Sequence, residues 1–222
     1  MTVDVTLFAA LMSTTEPALP AADWMRLYLP FAWTVVLAGA LVALPLRWTL
    51  GVQRVLCGLL ALAAVLPGAF SPVYWLGLAF QAPSLTSVLV GLWCLRGVVT
   101  GGHIGLAGGD AKANGLWRWA LPFALLGYGL LFDTLALLPW QMYAWGFSPA
   151  LLLALLTLAL MPWSLKQHTG VAVWAVPAAL LLFAATRLPT GNVWDALMDP
   201  LLWILLQAML IRLAYWHVRR RG

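Results

Sequence analysis

Long apolar stretches alternate with short polar ones along this chain, and nine of its twelve Lys and Arg fall in segments that would share one side of a membrane. Arg47, Arg54, Arg96, Lys112, Arg118, Lys166 and the run Arg219, Arg220 and Arg221 lie between or after stretches long enough to span a bilayer. Arg26 and Arg187 fall on the opposite side, and Arg212 lies inside the last stretch. Positive charge is retained on the cytoplasmic side during insertion, so this asymmetry sets an orientation as well as a class. The expected fold is all-α, a polytopic integral membrane helical bundle of about seven transmembrane helices. Its amino terminus lies outside and its carboxyl terminus in the cytoplasm.

Composition agrees. Hydrophobic residues make up 64% of the chain and charged ones 9%, where a soluble domain carries about 25% charged residues. A net charge of +5 would suggest nucleic acid in a soluble protein. Here the basic residues are scattered singly through short loops, which excludes a nucleic-acid patch. The terminal arginine run reads as a stop-transfer anchor touching anionic headgroups. Cys57 and Cys94 fall near cytoplasmic ends of apolar stretches, where a reducing compartment disfavours a disulfide. The chain has no Cys-x-x-Cys pair, which argues against a thiol oxidoreductase. Residues 1–23 carry Asp4, Glu16 and Asp23 with no basic residue, so they read as an external leader whose stretch 5–12 can lie along the interface. Residues 24–222 form a single transmembrane domain. Usage rich in Ala, Leu, Trp and Arg suggests a GC-rich bacterium and its cytoplasmic (inner) membrane.

The seven spans are expected at 27–46, 55–70, 73–95, 119–138, 150–163, 171–186 and 201–215. The second is short for the roughly 20 residues a bilayer needs, so its start can be earlier. Ser71 and Pro72 open the third span, because serine caps a helix and proline is tolerated at its first position. Pro83, after Gln81, should kink or break that span, and Pro177 should kink the sixth. A glycine-rich cytoplasmic loop is expected at 96–117, and an external loop at 188–200 holds Asp195 and Asp199. Of fourteen Trp, Trp33 alone falls well away from a span boundary. The rest read as interfacial anchors, since indole prefers the headgroup layer. The triplet Phe70, Ser71, Pro72 recurs as Phe147, Ser148, Pro149, as two parallel halves would require, although Ser-Pro is also a generic helix start.

Asp133 is the most informative single residue. It falls roughly fourteen residues into the fourth span, towards its outer half, where an ionised carboxylate costs about 2.5–3.5 kcal/mol. It should face the bundle interior, be protonated or find a donor. Gly129 lies one turn before it and Gly127 on the same small-residue stretch, which lets another helix approach closely. Gln81, Gln207 and Arg212 are the intramembrane polar candidates to meet it. A proton- or cation-coupled site and a plain interhelical hydrogen bond both fit this reading.

Other chemistry finds little support. His103, His168 and His217 share the cytoplasmic side with Asp110, but no local spacing supports a metal site, and the absence of deep histidines argues against bis-histidine haem. Gly108, Gly109 and Asp110 approach the motif of intramembrane aspartyl proteases, yet Ala107 replaces its first glycine and Asp133 lies near the opposite face. No phosphate-binding glycine motif occurs. Lys112 and Lys166, the chain's two lysines, both lie in loops, which excludes a retinal Schiff base. No catalytic residue, cofactor or metal is therefore expected. The leading expectation is a non-catalytic membrane subunit or assembly partner whose partners are the lipid bilayer and other membrane subunits or copies of itself. A small proton- or cation-coupled transporter using Asp133 is the first alternative. A membrane-embedded enzyme of lipid or glycan metabolism is the second.

Overall fold

The structure is a computed structural model that describes residues 19–43, 48–100, 116–164 and 171–219. The fold is all-α, with ten helices and no strand among the described residues. The helices are α1 Ala22–Ala43, α2 Leu50–Val65, α3 Pro72–Phe80, α4 Leu85–Thr100 and α5 Leu116–Thr134. They continue as α6 Met142–Trp145, α7 Pro149–Ser164, α8 Val171–Thr186, α9 Val193–Leu197 and α10 Pro200–Arg219. Among the described residues α1 is long and apolar enough to cross a membrane, and six further apolar helical stretches have 10–17 residues. Most of the expected leader and most of the glycine-rich loop lie outside the described residues.

Local chemistry explains where the helices start and stop. Thr49 opens α2 by accepting the Val52 N–H at 3.4 Å. Ser71 opens α3 by accepting the Val73 N–H at 3.2 Å, while its hydroxyl donates to the Ala64 carbonyl at 3.1 Å. One serine thus ties the end of α2 to the start of α3, with Pro72 in the first turn. The expected interruption at Pro83 is a full break. Gln81 turns out of the helix with φ 61°, and α4 restarts after Ser84. Pro177 lies within α8, which runs on through it.

Two close approaches hold the bundle together. A Cβ on Gly39 of α1 would lie 2.6 Å from the Cα of Gly91 on α4, and one on Gly91 would lie 2.9 Å from the Val35 carbonyl oxygen. Glycine at both positions is what lets these backbones touch. In the second half, a Cβ on Gly127 of α5 would lie 2.2 Å from the Trp203 ring of α10, and the Trp203 indole donates to the Ala124 carbonyl at 3.1 Å. The close helix expected at Gly127 is therefore α10. Helix α8 packs on α7 on one side and on α4 on the other, joining two groups of helices, α1–α4 and α5–α10.

The connection at 187–199 departs from the sequence expectation. It is a strap that enters the core. Asn192, Val193 and Ala196 are wholly buried, and Trp194 and Leu197 are nearly so, packed with Tyr28, Leu85 and Phe183. Its apolar residues outweigh its two aspartates, and burying them offsets the cost of submerging the backbone, whose polar groups find partners as described below. The outward surfaces of α2, α5, α7, α8 and α10 are apolar, with Leu59, Leu62, Leu121, Leu153, Leu181 and Ile211 exposed.

Candidate functional site

The break between α3 and α4 leaves carbonyls without helical partners, and α1 supplies them. The Trp33 indole donates to the Gln81 carbonyl at 2.8 Å, and the Tyr28 hydroxyl donates to the Pro83 carbonyl at 2.7 Å. Trp33, 1% exposed, is thus an internal clamp on the break. On the other side of the break α4 presents the unpaired donors of a helix N-terminus. Asp199 meets them. Its Oδ2 accepts from the Ser84 N–H at 2.8 Å, the Ser84 hydroxyl at 2.8 Å and the Ser87 hydroxyl at 2.5 Å. Its Oδ1 accepts the Leu202 N–H at 2.8 Å.

One carboxylate therefore caps two helices. For α10, Asp199 stands just before Pro200 and bonds the third residue of the helix, the usual capping geometry. For α4, Ser84 holds that position, accepting the Ser87 N–H at 3.1 Å, and Asp199 adds the charge. Both helices point their N-terminal ends at this carboxylate. With Ser84 wholly buried and Ser87 nearly so, these are charge-assisted bonds in a water-poor site.

A second polar centre forms around Tyr143 of α6. Its N–H donates to Asp133 Oδ2 at 2.7 Å, its carbonyl accepts the Asn192 side-chain amide at 2.9 Å, and its hydroxyl donates to Asp195 Oδ2 at 2.7 Å. Asp195 also accepts the Thr190 hydroxyl. Burial pushes the Asp195 carboxyl above its ordinary range, with the bonds from Thr190 and Tyr143 pulling it partway back. Burial raises the Tyr143 hydroxyl as well, reinforced by its bond to Asp195 and by that residue's charge. The Trp194 indole donates to the Met142 carbonyl at 2.9 Å, and the Val193 N–H to the Gly146 carbonyl at 2.9 Å. A Cβ on Gly146 would lie 1.8 Å from Asn192 Oδ1, so glycine is required where the strap crosses.

The polar candidates from the sequence occupy separate places. Asp133 lies in the last turn of α5, shallower in its helix than the sequence reading put it, and caps α6. Gln81 has an exposed side chain and takes part through its carbonyl. Gln207 accepts the Tyr128 hydroxyl at 2.8 Å beside the Trp203 ring. Arg212 is exposed on α10. No hydrogen bond joins any two of these four. His103, Asp110 and His168 lie outside the described residues, as does the side chain of His217. Among the described residues no three His, Cys, Asp or Glu side chains cluster as metal ligands would.

The sequence reading missed Asp199, Ser84 and Ser87. Asp199 followed by Pro200 is the same cap-then-proline signal recognised at Ser71, so its local role was readable. Its second partner, 115 residues away, was not. Comparison with protein-family models, with curated proteins and with solved structures finds no match to this chain.

Proposed function

We propose that this chain is a multi-pass inner-membrane protein, a non-catalytic membrane subunit or assembly partner of a larger complex. Seven spans would be α1, α2, the broken pair α3 and α4, α5, α7, α8 and α10, with the amino terminus outside. The apolar outward surfaces support membrane embedding, since a water-soluble monomer rarely exposes a continuous apolar patch beyond a few hundred Å². One observation carries the subunit reading: Asp133, Asp195 and Asp199 are each bonded to donors of their own chain that join one helix or loop to another. Carboxylates used in this way specify packing, and they leave the outward helix faces as the surface through which such a protein acts.

The test is purification from its native membrane in mild detergent. Stoichiometric co-purification of other polypeptides is expected. A monomer or homo-oligomer that drives solute uptake in liposomes would overturn the reading. A second reading, a small proton- or cation-coupled transporter, is favoured by the broken helix, because interrupted helices with half-helix termini facing a polar residue are how transporters build sites. Under it, uptake would fail in Asp199→Asn, and in Asp133→Asn if Asp133 carries the coupling.

A further inference from the structure

We infer that two copies of this chain pair in the membrane along the seam between α5 and α10, with Gln207 and Tyr128 of each copy exchanging hydrogen bonds across a two-fold axis. The inference rests on the multi-pass placement proposed above and not on the subunit reading, since a pair of copies can serve a larger complex or carry a solute.

The seam is built first within one copy. Gly127 lets α10 come close to α5, and the Trp203 ring fills that contact while its indole donates to the Ala124 carbonyl. The Tyr128 ring stands edge-on to Trp203 with centroids 4.9 Å apart. Its hydroxyl donates to Gln207 Oε1 at 2.8 Å. This bond lies at the bundle surface, with Tyr128 exposed and Gln207 half-buried. Helix spacing puts Leu121, Leu125 and Phe132 within two turns of Tyr128, and Ile204 and Ile211 within about one turn of Gln207. All five are exposed, so the polar pair is set in an apolar face.

Depth makes the pair informative. Along α10, Gln207 lies about 12 Å from Asp199 and about 18 Å from Arg219 at 1.5 Å per residue. With α10 as a span, that is inside the hydrocarbon, where no water meets a polar group. The two amide N–H groups of Gln207 have no acceptor among the described residues, and donors left unmet there are costly. Gln207 Oε1 and the Tyr128 oxygen each keep acceptor capacity beyond the bond they share. Each copy therefore offers two donors and two acceptors on one face. Such a set is complementary to itself, as a two-fold contact requires. A partner bearing acceptors alone would leave half of it unused. Ala208, exposed beside Gln207, is small enough to let a second α10 approach.

The test is association of the purified full chain in liposomes. Copies carrying a donor or an acceptor fluorophore on a carboxyl-terminal tag are mixed, and energy transfer is followed as the lipid-to-protein ratio is varied. Flotation after a carbonate wash checks separately that the chain is embedded, so a failed placement is told apart from failed pairing. The embedded parent should associate, and Gln207→Leu should weaken association about tenfold, as the loss of reciprocal bonds between helices implies. Tyr128→Phe should give a smaller loss. Ala208→Leu crowds the contact from an exposed position and carries the test if Gln207→Leu does not fold. Leu153→Ala, on the outward face of α7, should stay within about twofold of the parent. In a Cys57→Ser background, Ala208→Cys should form disulfide-linked pairs under mild oxidation and Leu153→Cys should not. No energy transfer from the embedded parent overturns the pairing, as does unchanged association in folded Gln207→Leu or equal cross-linking at both positions. A different polypeptide cross-linked at position 208 in the native membrane, in place of a second copy, overturns it as well.

Discussion

The Asp199 carboxylate accepts the backbone N–H of Ser84 at 2.8 Å, so the helices α4 and α10 begin at the same side chain. A side chain that caps its own helix at Leu202 thereby closes an interruption in a distant one. Removing it leaves a buried N–H, two hydroxyls and a second helix terminus short of an acceptor. Asp199→Ala should destabilise the fold by about 2–4 kcal/mol, and Asp199→Asn by less, because its amide oxygen still accepts. Thermal midpoints followed by circular dichroism in detergent check the order. Equal midpoints for Asp199→Ala and the parent would show that the clasp contributes nothing.

The α1–α4 crossing predicts a contrast between glycines. Gly39→Ala places a methyl 2.6 Å from backbone that cannot rotate away, and forcing the helices apart should cost about 1–3 kcal/mol. Gly58→Ala, on the open face of α2 with nothing within 4 Å of its Cβ, should be neutral or stabilising by up to about 1 kcal/mol, since alanine is the better helix former. Midpoints of the two variants, measured side by side, decide whether the approach or helix propensity dominates.

Asp195 predicts a pH dependence of definite sign. Its carboxyl is raised above the ordinary value of 3.8, first by burial, so the folded chain takes up its proton at higher pH than the unfolded chain does. This group's contribution to stability is fully present below 3.8 and is lost as pH rises through the folded value. Asp195→Asn cannot titrate. The stability of the parent relative to Asp195→Asn should therefore increase as pH falls from about 7 to about 4. A difference that stays flat across that range would mean the burial seen at Asp195 does not persist in solution.

Asp133 separates capping from coupling. As the acceptor for the Tyr143 N–H it can be replaced by asparagine, which caps nearly as well, whereas Asp133→Ala should lose about 1 kcal/mol. The expected order of midpoints is parent and Asp133→Asn together, with Asp133→Ala lower. If Asp133→Asn kept the parent's stability yet abolished a proton-driven uptake, the carboxylate would have a role beyond the cap.

Much of this fold could be read one residue at a time. Ser71 before Pro72 announces a helix start, and the structure places one there. Pro83 announces an interruption, and α3 stops three residues before it. Gly127 announces a close neighbour, and Trp203 is that neighbour. The burial of the strap is not legible in the sequence, because aspartates at 195 and 199 resemble a solvated loop, while the apolar residues around them are too few to form a recognisable span. Asp133 falls nearer the end of its helix than the expected span of 119–138 implies, because apolar residues continue past Thr134 and hydropathy does not mark where a helix unwinds. Asp199 reads as a loop residue for the same reason as the strap, although Pro200 after it carries the signal of a cap.

The all-helical class, most helix positions, the break at Pro83 and the close approach at Gly127 follow from the sequence alone. Those features depend on side-chain size, hydropathy and capping chemistry acting within a few residues. The inward turn of the 187–199 connection, the convergence of Asp133 and Asp195 on Tyr143, and the service of Asp199 to α4 as well as α10 arise in the assembled bundle. Each of these depends on which helices become neighbours. That choice is made by summed packing over the whole bundle, and a carboxylate takes its partner from whatever donor the packing brings within about 3 Å.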